Sequence, residues 1–255
     1  MLSVTRRSLT KEILLEKKSI SVAKLAKHFD VTEETIRRDL KALESEGFLT
    51  RTYGGAFIQD GVMNDISVSV RQTAYVEAKK RMAAAAAKLI HNGDSIFIDS
   101  STSAGFICGY IKDMRITVVT NSLYVINSLN DNDNIKLVGV GGKYDQTSMS
   151  FVGSATIDSL SRYYVDSCFI SPRSISLDHG VTDPNEQQAM VHTLMLEHGN
   201  EVNLIMDHTK FNKTSFMNVG NLNQVHNLFT DTQMTHEWRE LLARNQVRSY
   251  ECIEE

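Results

Sequence analysis

Between Phe29 and Thr32 the chain has two residues, Asp30 and Val31, in which to pass from one amphipathic segment to the next. Before that gap, Val22, Leu25, Ala26 and Phe29 recur at helical spacing; after it, Ile36, Leu40 and Leu43 do the same,. An earlier stripe, Leu9, Ile13 and Leu14, marks a further helix. Ser21 and Thr32 stand immediately before the second and third segments, where a side-chain oxygen caps free backbone N–H groups, and Glu33 and Glu34 suit a helix start,. Two helices joined by so short a turn cross each other, and the second is presented outward. This is the helix-turn-helix arrangement, whose second helix enters the major groove of DNA.

On a wheel of about 100° per residue, the third segment gathers Ile36, Leu40 and Leu43 on one side. Glu34, Arg38, Lys41 and Ser45 lie opposite, with Thr35 and Arg37 on the flanks. The outer face is polar and basic near its N-terminal end. Thr35 and Arg38 are therefore assigned to base edges and Arg37 and Lys41 to phosphates, with Ser21, Thr32 and Glu34 completing the DNA-facing set. Charge agrees with position. Residues 1–57 carry 11 Lys+Arg against 8 Asp+Glu, whereas the rest of the chain carries 16 against 23, so only the front end suits a polyanion.

The segment FLTRTYGGAFI (48–58) reads as two short strands closed by Gly54-Gly55, a pair expected to supply a positive φ at the turn,. Such a hairpin is a wing. It directs Arg51 and Tyr53 toward the sugar-phosphate backbone, unless they merely solvate an exposed ribbon.

From about Glu77 the pattern becomes an alternation of helices with short apolar runs at 95–99, 115–120, 135–140, 165–170 and 202–206. Alternating units predict an α/β domain with a mainly parallel sheet covered by helices, and ligands at the carboxyl ends of its strands. The organisation expected is a DNA-binding domain over 1–57, a linker over 58–76 and a larger α/β domain over 77–255.

The residues after the strands share one chemistry. Asp99-Ser100-Ser101-Thr102-Ser103 ends one strand and opens a helix, offering hydroxyls and N–H groups that suit phosphate, although ordinary helix caps have the same composition,. Thr120-Asn121-Ser122 repeats the arrangement, and Gly141-Gly142 is expected to let backbone approach a ligand,. Asp183, Asn185 and Glu186 precede a helix, and Asp207-His208-Thr209-Lys210 follows a strand. Carboxylates and an amide suit sugar hydroxyls, and Lys210 suits phosphate; each also fits a cap or a surface charge. His208 is read as structural, since no second histidine stands at metal-ligand spacing, and neither a metal nor a cofactor is expected.

The run VTEETIRRDLKALESEGFLTRTYGGA (31–56) resembles the signature of the DeoR family of bacterial repressors, matching recognition helix, spacer and wing over 26 consecutive residues. The resemblance extends over roughly residues 5–248. It implies a winged helix-turn-helix followed by a sensor domain similar in fold to ribose-5-phosphate isomerase. It further implies that Ser100, Ser101, Thr102 and Ser103 hold phosphate, with Asp99, Asn121, Gly142, Glu186, Asp207 and Lys210 around the sugar; Lys79 matches a Glu-Lys pair of the family, here spaced as Glu77-Ala78-Lys79. Two departures bear on the ligand. Asp-Ser-Ser-Thr-Ser replaces the family's Asp-x-Gly-Thr-Thr, so Ser101 puts a Cβ where a glycine is usual, and SPRSIS (171–176) replaces a glycine-rich segment, so Arg173 offers an added phosphate contact.

The function expected is a sequence-specific transcriptional regulator, a repressor of a carbohydrate operon, that binds operator DNA as a homo-oligomer, dimer or tetramer, and answers to a phosphorylated sugar. An enzyme reading, a sugar-phosphate isomerase carrying a DNA-binding domain, leaves the DNA reader unexplained. So does an architectural protein with an inert second domain leave the ligand-type loops. Three scattered cysteines, Cys108, Cys168 and Cys252, argue against a disulfide framework,. The charged N-terminus and the lack of any apolar run of about 20 residues predict a cytoplasmic, non-membrane protein.

Overall fold

A computed structural model describes residues 1–46, 48–58 and 68–254, with nothing said of the side chains of Ser69 and Val70. These residues form two compact units, Met1–Val76 and Glu77–Glu255. Residues 59–67 of the expected linker lie outside the described residues.

The first unit runs α1 (Ser3–Lys17), β1 (Ser19–Ser21), α2 (Val22–Phe29), α3 (Glu33–Ser45), β2 (Thr50–Thr52), β3 (Gly55–Phe57) and α4 (Val68–Gln72). The apolar stripes meet as expected: Leu14, Leu25, Ile36, Leu40 and Leu43 are buried together with Phe48 and Ala56. Both caps are in place, the Ser21 side chain accepting from Lys24 N and the Thr32 side chain from Thr35 N. One strand escaped the sequence reading. β1 joins the hairpin to make a three-stranded antiparallel sheet in the order β1-β3-β2. It also corrects the expectation for the glycine pair, because neither Gly54 nor Gly55 has a positive φ. A Cβ on Gly55 would stand 2.3 Å from Ile20 O, so this glycine admits the third strand instead of bending the turn.

The second unit contains α5 (Val76–Ala87), β4 (Ser95–Ile98), α6 (Thr102–Gly105), β5 (Ile116–Thr120), α7 (Leu123–Leu129), β6 (Ile135–Gly139), β7 (Lys143–Asp145), β8 (Ser150–Val152), α8 (Ser154–Leu160), β9 (Val165–Ile170), β10 (Ser174–Ser176), β11 (Gly180–Asp183), α9 (Glu186–His198), β12 (Gly199–Ile205), β13 (Met217–Gly220), β14 (Asn227–Thr230), α10 (His236–Arg244) and β15 (Arg248–Glu251). All five expected runs are strands of one seven-stranded parallel sheet, ordered β15-β14-β12-β9-β4-β5-β6. Strand alternation divides the core: Ile96 and Ile98 face α5, α6 and α7, whereas Phe97 faces α8, α9 and α10,. The sequence reading omitted β14 and β15, the antiparallel trio β10-β11-β13 and the hairpin β7-β8.

Chain order reverses at β4. β5 and β6 extend the sheet on one side, and β9, β12, β14 and β15 extend it on the other. A doubly wound sheet opens a crevice at such a switch point, beyond the carboxyl ends of the strands that flank it. Here those strands are β4 and β9.

Candidate functional site

In the first unit the exposed face of α3 is available for DNA. Arg38 and Lys41 are exposed, and neither side chain has an ion-pair or hydrogen-bond partner among the described residues. Glu34 is exposed as well. The other expected contacts are more committed. Arg37 pairs with Glu33 at 2.7 Å, one turn back, and Thr35, half-buried, has its hydroxyl 2.9 Å from that of Thr32. Arg51 Nε lies 2.6 Å from Glu44 Oε2 while its N–H donates to Glu44 Oε1 at 3.0 Å. Those bonds to Arg51 hold the Glu44 carboxyl below its usual range and tie the wing to the recognition helix. Tyr53 is fully exposed at the wing tip. Ser21 lies at the junction of β1 and α2, where Val22 N donates to Gly54 O at 2.8 Å.

Behind this face lies a pair that wheel arithmetic did not find. Asp39 of α3 is buried, and Arg6 of α1 reaches it with Nε 2.5 Å from Oδ2 and Nη2 3.3 Å from Oδ1. The bidentate contact fixes the recognition helix on α1.

In the second unit the loops after β4, β9 and β12 converge at the switch point. Asp99 has no exposed surface. Its Oδ1 accepts from Ser101 N at 2.9 Å and Ser101 Oγ at 2.5 Å, and its Oδ2 from Ser171 N at 2.7 Å. Ser101 Oγ also caps α6 by accepting from Ala104 N. Both oxygens of Asp99 are therefore engaged within the protein. Ser101, placed where a glycine was expected by resemblance, is the residue that holds this carboxylate.

His192 of α9 sits between two carboxylates. Its Nδ1 contacts Asp183 Oδ2, and its Nε2 lies 3.0 Å from Asp99 Oδ2, turned off the line of a hydrogen bond, so that contact is an ion pair. Burial lowers the imidazole, but the charge and hydrogen bond of Asp183 and the close Asp99 carboxylate prevail and raise it to about 10. Burial likewise raises Asp99, and His192, Ser101 and Ser171 outweigh it and hold Asp99 below its usual range. No sequence signal singled out His192: a histidine on an apolar helix face reads as core, and Asp183 is nine residues away.

On the β9 loop, Ser171 N is committed to Asp99, Pro172 has no N–H, and Arg173 N donates to Asp183 Oδ1 at 2.8 Å. The loop has no backbone donor left for a ligand, only the Arg173 side chain, which makes no hydrogen bond or ion pair among the described residues. Lys210, buried, donates to Ser171 O at 3.0 Å, Ser171 Oγ at 2.5 Å and Pro172 O at 3.0 Å. Those acceptors match the three donors of an ammonium, so Lys210 acts on the site as a charge from below. Burial raises Asp207, and the charges of Lys210 and Lys79, the Thr209 hydroxyl and His208 bring it below its usual range.

What remains open to a ligand is narrower than the expected set. Ser100 Oγ donates to Gln188 Oε1 at 3.1 Å, and Gln188 Nε2 donates to Ser148 Oγ at 2.7 Å and Ser150 Oγ at 3.0 Å. Gln188 is another participant the sequence reading missed. Ser103 Oγ and Asn121 Oδ1 are buried yet have no hydrogen-bond partner among the described residues, while Asn121 Nδ2 is held by Phe151 O at 2.8 Å. The backbone N–H groups of Ser100, Thr102 and Ser103 likewise donate to nothing among the described residues. Buried polar atoms rarely go unpaired, and these, in the loops after the adjacent strands β4 and β5, offer donors suited to an anion and an acceptor suited to a hydroxyl.

The remaining expected positions are placed as follows. A Cβ on Gly142 would stand 2.0 Å from Thr156 Oγ1, so that glycine admits α8, and Gly141 has open space around it. Asn185 caps α9, accepting from Gln187 N at 3.0 Å and Gln188 N at 3.2 Å. Glu186 is exposed in the first turn of that helix.

Comparisons with known proteins agree with both units. Residues 6–61 match the DeoR-like helix-turn-helix domain and residues 74–232 the DeoR C-terminal sensor domain. An uncharacterized HTH-type transcriptional regulator of Bacillus subtilis, YulB, is 36% identical over 91% of this chain and 90% of its own. The HTH-type transcriptional repressor GlcR of the same organism is 32% identical over 92% and 91%. The L-fucose operon activator of Haemophilus influenzae is 31% identical over 84% and 86%. Among solved structures, ribose 5-phosphate isomerase A of Methanocaldococcus jannaschii aligns with 53% of this chain and 54% of its own at 14% identity and a TM-score of 0.40.

Proposed function

The chain belongs to the DeoR family of transcriptional regulators, and from that premise we propose that it represses a carbohydrate operon until a phosphorylated sugar binds its second unit. The observation that carries the sensing half is the set of unpaired polar atoms taken as the recess: Ser103 Oγ, Asn121 Oδ1 and three free N–H groups in the loops after β4 and β5. The N–H groups and the Ser103 hydroxyl take the phosphate, Asn121 Oδ1 accepts from a sugar hydroxyl, and Arg173 supplies a second cationic contact. Ser101, Asp99, Asp207, Lys79 and Lys210 support this recess from beneath. The relatives' names support operon control, GlcR being a transcriptional repressor and the Haemophilus protein an L-fucose operon activator.

On DNA, Arg38 reads a base edge and Lys41 neutralises a phosphate, with Tyr53 at the wing. One domain with so few free cations makes few phosphate contacts, which favours paired half-sites and a homo-oligomer, dimer or tetramer, acting in the cytoplasm. Among the described residues, no helix is long and apolar enough to cross a membrane.

The ligand acts only through unequal affinity for the DNA-bound and released states. Titrating an operator fragment with and without a panel of phosphorylated sugars tests this. Release by one of them is expected, and indifference to all of them refutes sensing. An isomerase role, with Asp99, Glu186 and Asp207 as acid and base, is disfavoured because Asp99 and Asp207 are buried and bonded within the protein, which leaves Glu186 alone,; turnover of ribose 5-phosphate would reinstate it.

A further inference from the structure

Apart from the Asp231 carboxylate, which is also buried and pairs with His208, the buried Asp, Glu, Lys, Arg and His residues described in the second unit form one set: Lys79, Asp99, Asp183, His192, Asp207 and Lys210. Contacts or charge interactions join them at the carboxyl edge of the sheet. Their formal charges cancel, three against three, only when His192 is an imidazolium. The two flanking carboxylates favour that form. A neutral imidazole has one N–H, so it would leave one nitrogen without a proton beside a carboxylate oxygen, at Asp183 Oδ2 or at 3.0 Å from Asp99 Oδ2.

The same two carboxylates receive the N–H groups of Ser171 and Arg173, one on each side of Pro172. The unusual β9 loop and the Asp99–His192–Asp183 triad are thus one construction, joining β4, β9, β11 and α9. It leaves two carboxylates under a recess that has donors for an anion.

We propose that His192 sets the charge of the effector site: wedged between Asp99 and Asp183, its imidazolium cancels the charge that would otherwise repel an anion from the loop after β4. The proposal rests on the reading of that recess as the effector site. His192 touches no ligand and is a positioning residue. Removing its charge leaves a buried surplus of one negative charge, which in a low-dielectric setting opposes any anion strongly.

Inorganic phosphate and glucose 6-phosphate serve as probes, with glucose as the uncharged control, in calorimetric titrations of the full chain. His192→Gln should weaken phosphate binding by about tenfold or more. The double variant H192Q/D183N removes one charge of each sign, and it should return the affinity to within about threefold of wild type. Circular dichroism and operator affinity without ligand confirm that each variant is folded, and His192→Lys provides a third variant that keeps the cation. Equal weakening in the single and double variants would mean that the triad acts only as a clamp and overturns the proposal, as would an undiminished affinity in H192Q. If wild type binds neither probe nor any other phosphorylated sugar, the recess is not an anion site, and the reading under Proposed function falls with this one.

Discussion

Asp39→Asn should loosen the recognition helix far more than its conservative chemistry suggests. The carboxylate and the Arg6 guanidinium each keep only 8% of their side-chain exposure, with Nε 2.5 Å from Oδ2. At about 4 Å and an effective dielectric near 20, a pair of unit charges is worth about 4 kcal/mol. Removing one partner of a buried pair costs about 3–5 kcal/mol, because the other charge stays buried and uncompensated. A loss of about 3 kcal/mol multiplies the open population of the helix by roughly two orders of magnitude. Native-state hydrogen exchange on the full chain reads this directly: α3 amides should exchange about a hundredfold faster in the variant, while those of β9 and β12 do not change. The double variant Arg6→Met with Asp39→Leu removes both charges and should recover most of the protection. An acceleration below about fivefold, or a double variant as labile as the single, would refute the claim that buried charge imbalance holds α3 in place.

Arg38→Ala should cost about 1–3 kcal/mol in operator affinity and relax preference at one base position, whereas Arg37→Ala should cost less because Glu33 already holds that guanidinium; equal losses in operator titrations would contradict the assignment. Ser101→Gly restores the glycine implied by resemblance but removes both the α6 cap and the hydroxyl on Asp99; it should lower stability by about 1–2 kcal/mol in urea denaturation, and a stabilised variant would show that the hydroxyl is dispensable. Because the folded-state pKa of His192 is raised from 6.5 to about 10, the folded state binds the extra proton. Its contribution to stability is full below pH 6.5, declines between there and about 10, and is lost above. Urea midpoints across that range should fall in wild type and fall less in H192Q, and parallel slopes would deny the linkage. Asp99 works in the opposite sense: its lowered pKa stabilises the fold at neutral pH, and that contribution is lost on acidification through the folded-state value.

The first unit was legible in the sequence because its information is local. Helix periodicity, caps and a two-residue turn are short-range, and a stripe such as Ile36, Leu40 and Leu43 has one way to be buried. Even there, β1 was missed, since three residues pair only because the hairpin offers an edge, and Gly55 was misread as a turn former when its missing Cβ serves that pairing. In the second unit the five apolar runs identified the parallel sheet, and the loops after its strands identified the site's chemistry. The partition of roles within those loops came from contacts between residues 9 to 93 positions apart, such as His192 with Asp183 and Asp99. Hydroxyls and carboxylates look equally available in a sequence; which are spent internally depends on neighbours that only chain reversal at β4 brings together. The sequence alone therefore determined the winged helix-turn-helix and the α/β domain that follows it. Tertiary structure decided that Ser103 Oγ and Asn121 Oδ1 are left unpaired, that Asp99 and Lys210 are bonded within the protein, and that His192 stands between two carboxylates, because hydrogen-bond satisfaction and charge balance are properties of the assembled fold.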